Sequence, residues 1–508
     1  MTLMLGIDVG TSSTKVIIIN EEGKVLAGSS YSYTMETPKP GYAEQKPELW
    51  WKALVEALKE IPQDLIKSVE AIGFSGQMHG TVILDRKRKP VRPAILWADK
   101  RSVRQCSEIY QKVDMESIIE RISNPIMPGF MGPTLLWLLE NESDSIGKAR
   151  WAVLPKDYVR LRLTGVVATD FSDASATLLF DVSRRKWAFD IISLLGIPVD
   201  LLPEVFDSSH VIGEVTSEAA RETGLPRGVP VVTGGGDSQV GALGCGVVRE
   251  GVVSSNIGTG GQVFTVIDDF KVDRKLRIHT FCHAVSDKWC LQGAILSAGL
   301  SVSWFCKNIA LYENVVNDLM PLNVFDLVSA EAETSEPGSR GLVFLPYLLG
   351  ERSPHMDPYA KGVLYGLSTV HRRNDIARAI MEGVVYALRD SLEIFRELGV
   401  KIKMVIVRGG GAESKVWRQI QSDIFGVDIY RSDVREDAAF GAALLAGLGI
   451  KVYSSINDAC RRVIRVTRSE RPNPENVKIY DKIYNLVYKR LYPSLKDIWR
   501  GEVEEPTS

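Results

Sequence analysis

The 508-residue chain predicts an α/β fold made of two similar domains. Three observations carry that prediction. The opening mixes short apolar strand runs, tight turns and an amphipathic helix. The segment Asp8-Val9-Gly10-Thr11-Ser12-Ser13 has a counterpart in Asn256-Ile257-Gly258-Thr259-Gly260-Gly261, with Gly10 and Gly258 standing 248 residues apart. Asp237 followed by Gly241-Ala242-Leu243 has a counterpart in Asp437 followed by Gly441-Ala442-Ala443. Two repeated pairs in the same order suggest two related domains. The expected division is 1–247, 248–500 and a frayed polar tail at 501–508.

The elements follow in order. Leu3 to Ile7 is a short apolar strand, and Val9 to Ser13 is rich in turn residues. Val16-Ile17-Ile18-Ile19 is β-branched and reads as a buried strand. Glu21-Glu22-Gly23 turns the chain into a third strand at Val25. From Glu48 to Ile61 the spacing is helical, with Trp51, Leu54, Ala57 and Leu58 on one face. Val69 to Phe74 is a strand that ends at Ser75-Gly76-Gln77. Hairpins mixed with helical crossovers imply a mixed sheet. A second strand cluster spans Val252 to Ile267, and helical patterns cover 376–398, 415–425 and 475–499. The helices opened by Asp237 and Asp437 present glycine and alanine, which lets helices approach closely. They are expected to cross between the domains as a hinge, with each Asp capping free backbone N–H groups.

Composition is ordinary for a globular protein, with 45% hydrophobic and 24% charged residues. A net charge of -2 argues against a basic nucleic-acid surface and against strong attraction to anionic membrane. The six cysteines show no metal-ligand spacing, which fits reduced thiols in a cytoplasmic protein. No basic segment leads into an apolar run at the N-terminus, and no apolar run approaches the roughly 20 residues of a membrane helix.

Phosphate needs dense positive dipoles without bulk, and backbone N–H groups in a glycine-rich turn supply them. Gly10, Thr11, Ser12 and Ser13 form one such turn, with Lys15 close by. Gly258, Thr259, Gly260 and Gly261 form another. One turn per domain predicts a polyphosphate clamped in the cleft between them. Asp8, beside the first turn, would repel phosphate unless a cation intervened, and water-held Mg²⁺ is the natural mediator. A third glycine run, Arg408-Gly409-Gly410-Gly411-Ala412, follows an apolar strand and precedes a helix from about Ser414. It lacks the Walker lysine. Gly410, Gly411, Ala412 and Ser414 fit a flat adenine lying on bare backbone; a sharp strand-to-helix turn is the alternative.

Val231-Val232-Thr233-Gly234-Gly235-Gly236-Asp237 is another strand running into glycines, with an acid at a helix start. A base for phosphoryl transfer must be a small anion beside the γ-phosphate, and Asp237 fits by type and position. Simple helix capping explains the pattern as well. Gln77-Met78-His79-Gly80 follows a strand, and its amide and imidazole suit either hydroxyl recognition or a structural role. Trp97 and Asp99 add a ring and a carboxylate that suit a polyol.

Together these residues resemble the FGGY carbohydrate kinases over nearly the whole chain. The segments most similar to that family are Gly6–Ser12, Gly41–Gln45 with Trp50-Trp51, Ser75–Gly80, Leu154–Tyr158, Ser172–Ala174, Leu345–Tyr347, Gly350–Pro354 and 362–382. Ser75–Gly80 is most like the family's xylulose-phosphorylating members. The resemblance implies two ribonuclease-H-like domains of the actin/hexokinase/Hsp70 superfold, with ATP and Mg²⁺ in the cleft between them. It implies Asp237 as proton acceptor, Met78 and His79 on the sugar, and Asp99 as a further sugar contact. Ala98 stands where those members commonly carry Asn, and Thr134 where Lys is usual. The expected partners are a small-molecule sugar and a second copy in a homodimer, without nucleic acid or membrane.

Overall fold

The computed structural model describes residues 1–310, 323–435 and 437–501. They form two compact units. The first comprises Met1–Val248, Ile267–Cys290 and Asp433–Arg465; the second comprises the described residues of Arg249–Val266, Leu291–Ser432 and Val466–Ser508.

The first unit is built on strands β1 (Leu3–Val9), β2 (Ser13–Asn20), β3 (Val25–Ser32), β4 (Val69–Gly76), β5 (Val211–Glu214), β6 (Pro230–Val232) and β7 (Gly235–Gly236). The sheet order is β5-β6-β4-β1-β2-β3, with β7 also on β4. β1 pairs antiparallel with β2 and parallel with β4. Strand alternation sorts the sheet's side chains between two cores. Leu3, Leu5, Ile7, Val16, Ile18 and Phe74 pack with Trp50, Leu54 and Leu58 of helix Pro47–Lys59. Met4, Ile17, Ile19 and Ala71 pack with Ala439, Ala442 and Ala446 of helix Asp437–Gly449.

The first unit's opening segment ends at Val248, and that second core brings the later segment Asp433–Arg465 back to it. Helix Asp437–Gly449 lays its backbone directly on the first sheet. A Cβ at Gly6 would lie 1.9 Å from the Ala439 carbonyl oxygen, and one at Gly73 1.9 Å from that of Ala442. Helix Asp237–Gly244 packs on the same helix, where a Cβ at Gly244 or Gly441 would meet the Asp437 or Val240 carbonyl at about 2 Å. The small residues do bring the two helices together. Both helices lie in the first unit.

The second unit repeats the plan with β8 (Val252–Ile257), β9 (Gly261–Ile267), β10 (Trp289–Ile295), β11 (Met404–Arg408), β12 (Ile429–Ser432) and β13 (Val466–Glu470). These run in the order β10-β9-β8-β11-β12-β13. β8 pairs antiparallel with β9 and parallel with β11. The helix Arg373–Glu397 is largely buried against this unit's other elements. The chain from Pro474 is helical through Gly501, so the expected tail, from 502 on, lies outside the described residues. No helix among the described residues is long and apolar enough to cross a membrane. All six cysteines are buried.

Candidate active site

In the first unit, three strands deliver the sequence-predicted groups to one edge. β1, β4 and β7 run parallel, with Val9 opposite Gly76 and Gly76 opposite Gly236. The next residues are therefore Gly10, Gln77 and Asp237, at strand ends roughly 4.8 Å apart. Ligands of α/β sheets bind at such carboxyl ends.

The first turn closes through the Gly10 N–H to the Ser13 carbonyl, 3.0 Å. Polar side chains tether it. The Tyr33 hydroxyl donates to the Gly10 carbonyl at 2.6 Å, and Gln45 Nε2 donates to the Thr11 carbonyl at 2.7 Å. The Thr11 hydroxyl donates to Gln77 Oε1 at 3.1 Å and accepts from Trp97 Nε1 at 3.0 Å. Its one proton is thus engaged within the protein, and the exposed Ser12 hydroxyl is better placed for a phosphate. Asp8 lies opposite Lys15 on β2, so both side chains share a sheet face. Lys15 also lines a cavity of about 530 Å³ with Ser29, Ser30 and Arg435.

His79 has a φ of 71°, in the left-handed region that a side chain adopts only under local constraint. Its Nδ1 lies 2.9 Å from the Ala176 carbonyl, and its ring stacks on Phe130 with centroids 3.8 Å apart. Phe130 in turn stacks with His279. Met78 is buried beside Gly236, where a Cβ would meet its Sδ at 3.0 Å. Trp97 keeps 36% of its surface exposed.

Asp237 is half-buried and does not cap its helix. Gly236 holds the cap position, and Asp237 sits one residue inside the first turn. The Ser238 hydroxyl donates to Asp237 Oδ1 at 3.3 Å.

Asp99 departs from the expected sugar contact. It is 1% exposed, and both carboxylate oxygens are engaged. Oδ2 accepts the Ala43 N–H at 2.6 Å and Arg101 Nη2 at 2.8 Å, while Oδ1 accepts Arg101 Nε at 2.9 Å. Arg101 also bonds Glu44 at 2.6 Å and lies 3.9 Å from the Tyr42 ring centroid. Asp99 anchors Arg101 below the site. A carboxylate two residues from an arginine was the available signal for this.

The second unit repeats the turn with one residue fewer. Ile257 pairs with Gly261, and the Gly258 N–H donates to the Gly260 carbonyl at 3.0 Å. Backbone groups hold it: Gly299 N–H reaches the Gly258 carbonyl at 2.8 Å, and Ala298 and Leu300 N–H both reach that of Thr259 at 3.0 Å. Gly261 is buried against Ile295, so it packs in the core.

β11 runs into Gly409, whose φ is 71°, and then into a short helical turn over Gly410–Ala412. A Cβ at Gly409 would lie 2.5 Å from Asn256 Oδ1, and one at Gly411 2.6 Å from Ile257 Cβ. Nothing lies within 4 Å of a Cβ at Gly410. Packing explains two of the three glycines, and the third faces open space, which fits a flat ligand on bare backbone. The Ser414 side chain accepts the Trp417 N–H at 3.2 Å and caps the next helix.

The residues suit the expected groups. Each unit carries one glycine turn at a strand end. No cluster of three or more metal-ligating side chains exists among the described residues.

Residues 3–244 match the N-terminal domain, and residues 253–450 the C-terminal domain, of the FGGY family of carbohydrate kinases. Xylulose kinase of Bacillus subtilis is 36% identical over 98% of both chains. Gluconokinase of the same organism is 30% identical over 98% of both. The crystal structure of xylulose kinase from Rhodospirillum rubrum superposes with a TM-score of 0.90 at 28% identity, over 98% of this chain and 100% of that one. Both domain types are present in order and the likeness runs end to end, so the chain belongs to the FGGY family of carbohydrate kinases, enzymes of the actin/hexokinase-like fold.

Proposed function

We propose that this carbohydrate kinase transfers the γ-phosphoryl group of ATP to the terminal hydroxyl of D-xylulose, giving D-xylulose 5-phosphate and ADP. The observation that carries the reading is the register of β1, β4 and β7. It sets Asp8, Gln77 to His79 and Asp237 on consecutive strand ends.

In this reading Asp237 accepts the hydroxyl proton as the sugar oxygen bonds to the γ-phosphorus and the bond to the bridging oxygen breaks. Met78, His79 and Trp97 contact the sugar, while Gln77, buried and bonded to Thr11 and Gly10, fixes the first turn beside them. The constrained His79 backbone and its stack on Phe130 support a fixed imidazole for that purpose. Backbone N–H groups beyond Gly10 and Gly258 in the turns Gly10–Ser13 and Gly258–Gly261 contact phosphate oxygens, joined by the Ser12 hydroxyl and Lys15. Gly410, Gly411 and Ala412 border the adenine. Asp8 orients Mg²⁺, which when bound offsets phosphate charge.

Replacing Asp237 with Ala should lower kcat by on the order of 10²- to 10⁴-fold while ATP still binds. Near-normal turnover of D237A would show that the base is another group. The gluconokinase relative supports a second acceptor class, the polyol acids. ADP release measured with D-xylulose, D-ribulose and D-gluconate separates the acceptors by kcat/KM. The sparse, buried cysteines support a cytoplasmic enzyme. Exposed Leu349, Tyr359, Tyr365 and Leu367 support a homodimer, which sedimentation velocity tests.

A further inference from the structure

Five fully buried charged side chains lie in the first unit behind the strand ends. Lys156, Asp157, Arg160, Asp170 and Asp173 are each 0–1% exposed. Lys156 Nζ lies 2.6 Å from Asp157, 2.7 Å from Asp170 and 3.0 Å from Asp173. Arg160 pairs with Asp157 at 2.9 Å. The substrate reading uses none of them.

We infer that this cluster is the positioning core for Asp237 and Gln77, acting through Ser172. The inference rests on Asp237 being the proton acceptor. The run before Asp237, Gly234-Gly235-Gly236, has no side chains with which to fix itself, and glycine has the most backbone freedom to lose. The cluster grips both ends of that run. Arg160 Nη1 donates to the Thr233 carbonyl at 2.7 Å. The Gly236 N–H donates to Ser172 Oγ at 3.0 Å. The Ser172 hydroxyl in turn donates to Asp170 Oδ1, which also accepts the Ser172 N–H at 2.8 Å. Lys156 meets the strand before Gln77, where a Cβ at Gly76 would lie 2.8 Å from its own Cβ. One salt-bridged knot therefore touches the last residue of β4 and both flanks of β7.

Burial raises the Asp173 carboxyl well above the ordinary carboxylate range. Burial alone would lower the Lys156 ammonium, but the neighbouring carboxyl groups outweigh it and raise its pKa. Buried ion networks are weak stabilisers beside apolar packing of equal volume. The order this network imposes on the glycine run accounts for it better than stability does.

The test compares Ser172→Ala and Asp170→Asn with D237A, in purified enzyme supplied with ATP, Mg²⁺ and D-xylulose. Both positioning variants should lose kcat by on the order of 10- to 100-fold per folded molecule, with KM for ATP unchanged. The amide of Gly236 should exchange with solvent faster. Ser172→Ala leaves every Lys156 pair intact, so it decides the matter if Asp170→Asn unfolds. Wild-type kcat per folded molecule in Ser172→Ala overturns the inference, even where less folded protein is recovered. If D237A is inactive while both other variants turn over normally, the positioning inference alone fails. If D237A turns over normally, the base assignment fails first.

Discussion

The two units share the central strands of their sheets and a glycine turn, yet they hold that turn by opposite means. In the first unit side chains do it: Tyr33, Gln45, Gln77 and Trp97 all bond the Gly10–Thr11 segment. In the second unit backbone N–H groups of Ala298, Gly299 and Leu300 do it. The flanking residues differ to match. Asp8 lies opposite Lys15, whereas Asn256 lies opposite Gln262. Past the next parallel strand the first unit continues into Gln77-Met78-His79, and the second into Gly409-Gly410-Gly411. One frame thus carries charge and hydrogen-bonding side chains in one copy and bare backbone in the other. The first pattern suits proton transfer and sugar recognition; the second suits a flat base.

Removing the charge difference should have the largest effect. Asp8→Asn gives the first turn the chemistry of the second. It should lower kcat/KM for ATP by 10- to 100-fold, the range for groups that act on a metal through an outer shell. Raising Mg²⁺ should recover part of the loss in steady-state assays. The reverse change, Asn256→Asp, should raise KM for ATP through repulsion. Unaltered kinetics in both variants would mean the acid–amide difference has no role at the phosphates.

Acidity should separate the two turns next. The first is held by amides and a tyrosine hydroxyl. The Leu296 N–H, next to the segment that holds the second turn, reaches buried Glu351 at 3.0 Å, and Arg352 N–H reaches the same oxygen at 2.7 Å. Burial pushes Glu351 up to about 8 despite these bonds. A carboxyl raised on folding favours the native state when protonated. Its contribution is full below the ordinary carboxylate range and is lost as pH rises towards 8. Between those limits the loss is about 1.4 kcal/mol per pH unit. Glu351→Gln should flatten that slope in thermal unfolding between pH 6 and 8. A slope identical to wild type would show that Glu351 titrates normally.

Much of this was legible in the sequence. The β-branched run at Val16–Ile19, the strand from Val69 and the helix carrying Trp51 and Leu54 stand where alternation and periodicity put them. So do the two turns and the strand before Asp237. Tertiary contacts were not legible. Asp433–Arg465 joins the first unit because Gly6 and Gly73 admit a helix backbone, and a glycine in a strand does not name what approaches it. Asp99 and Thr11 looked available for ligands because sequence shows a polar group but not its partner. Lys156 and its aspartates gave no periodic signal, since their pairing depends on three segments meeting in the core.

The three glycines after β11 offer a finer contrast of about 1–3 kcal/mol. Gly411→Ala forces a methyl into Ile257 and should destabilise by about that amount, the usual cost of overpacking. Gly410→Ala meets no atom, so thermal unfolding should stay put. KM for ATP should rise by on the order of tenfold, equivalent to about 1.4 kcal/mol of lost contact. Equal effects of both variants on stability, with none on KM, would remove the adenine from this surface.

The smallest expected effect separates capping from binding at Ser414. A hydroxyl beside a glycine run reads as a nucleotide contact, but here it accepts the Trp417 N–H and lies 3.0 Å from Ser329 Oγ. Ser12 in the first turn is exposed. Losing a serine cap costs about 1 kcal/mol. Ser414→Ala should therefore lower the unfolding midpoint and leave KM for ATP in place. Ser12→Ala should do the reverse, raising KM for ATP with the midpoint unchanged. A rise in KM for S414A without loss of stability would return Ser414 to the nucleotide and make the second turn's surroundings as polar as the first's.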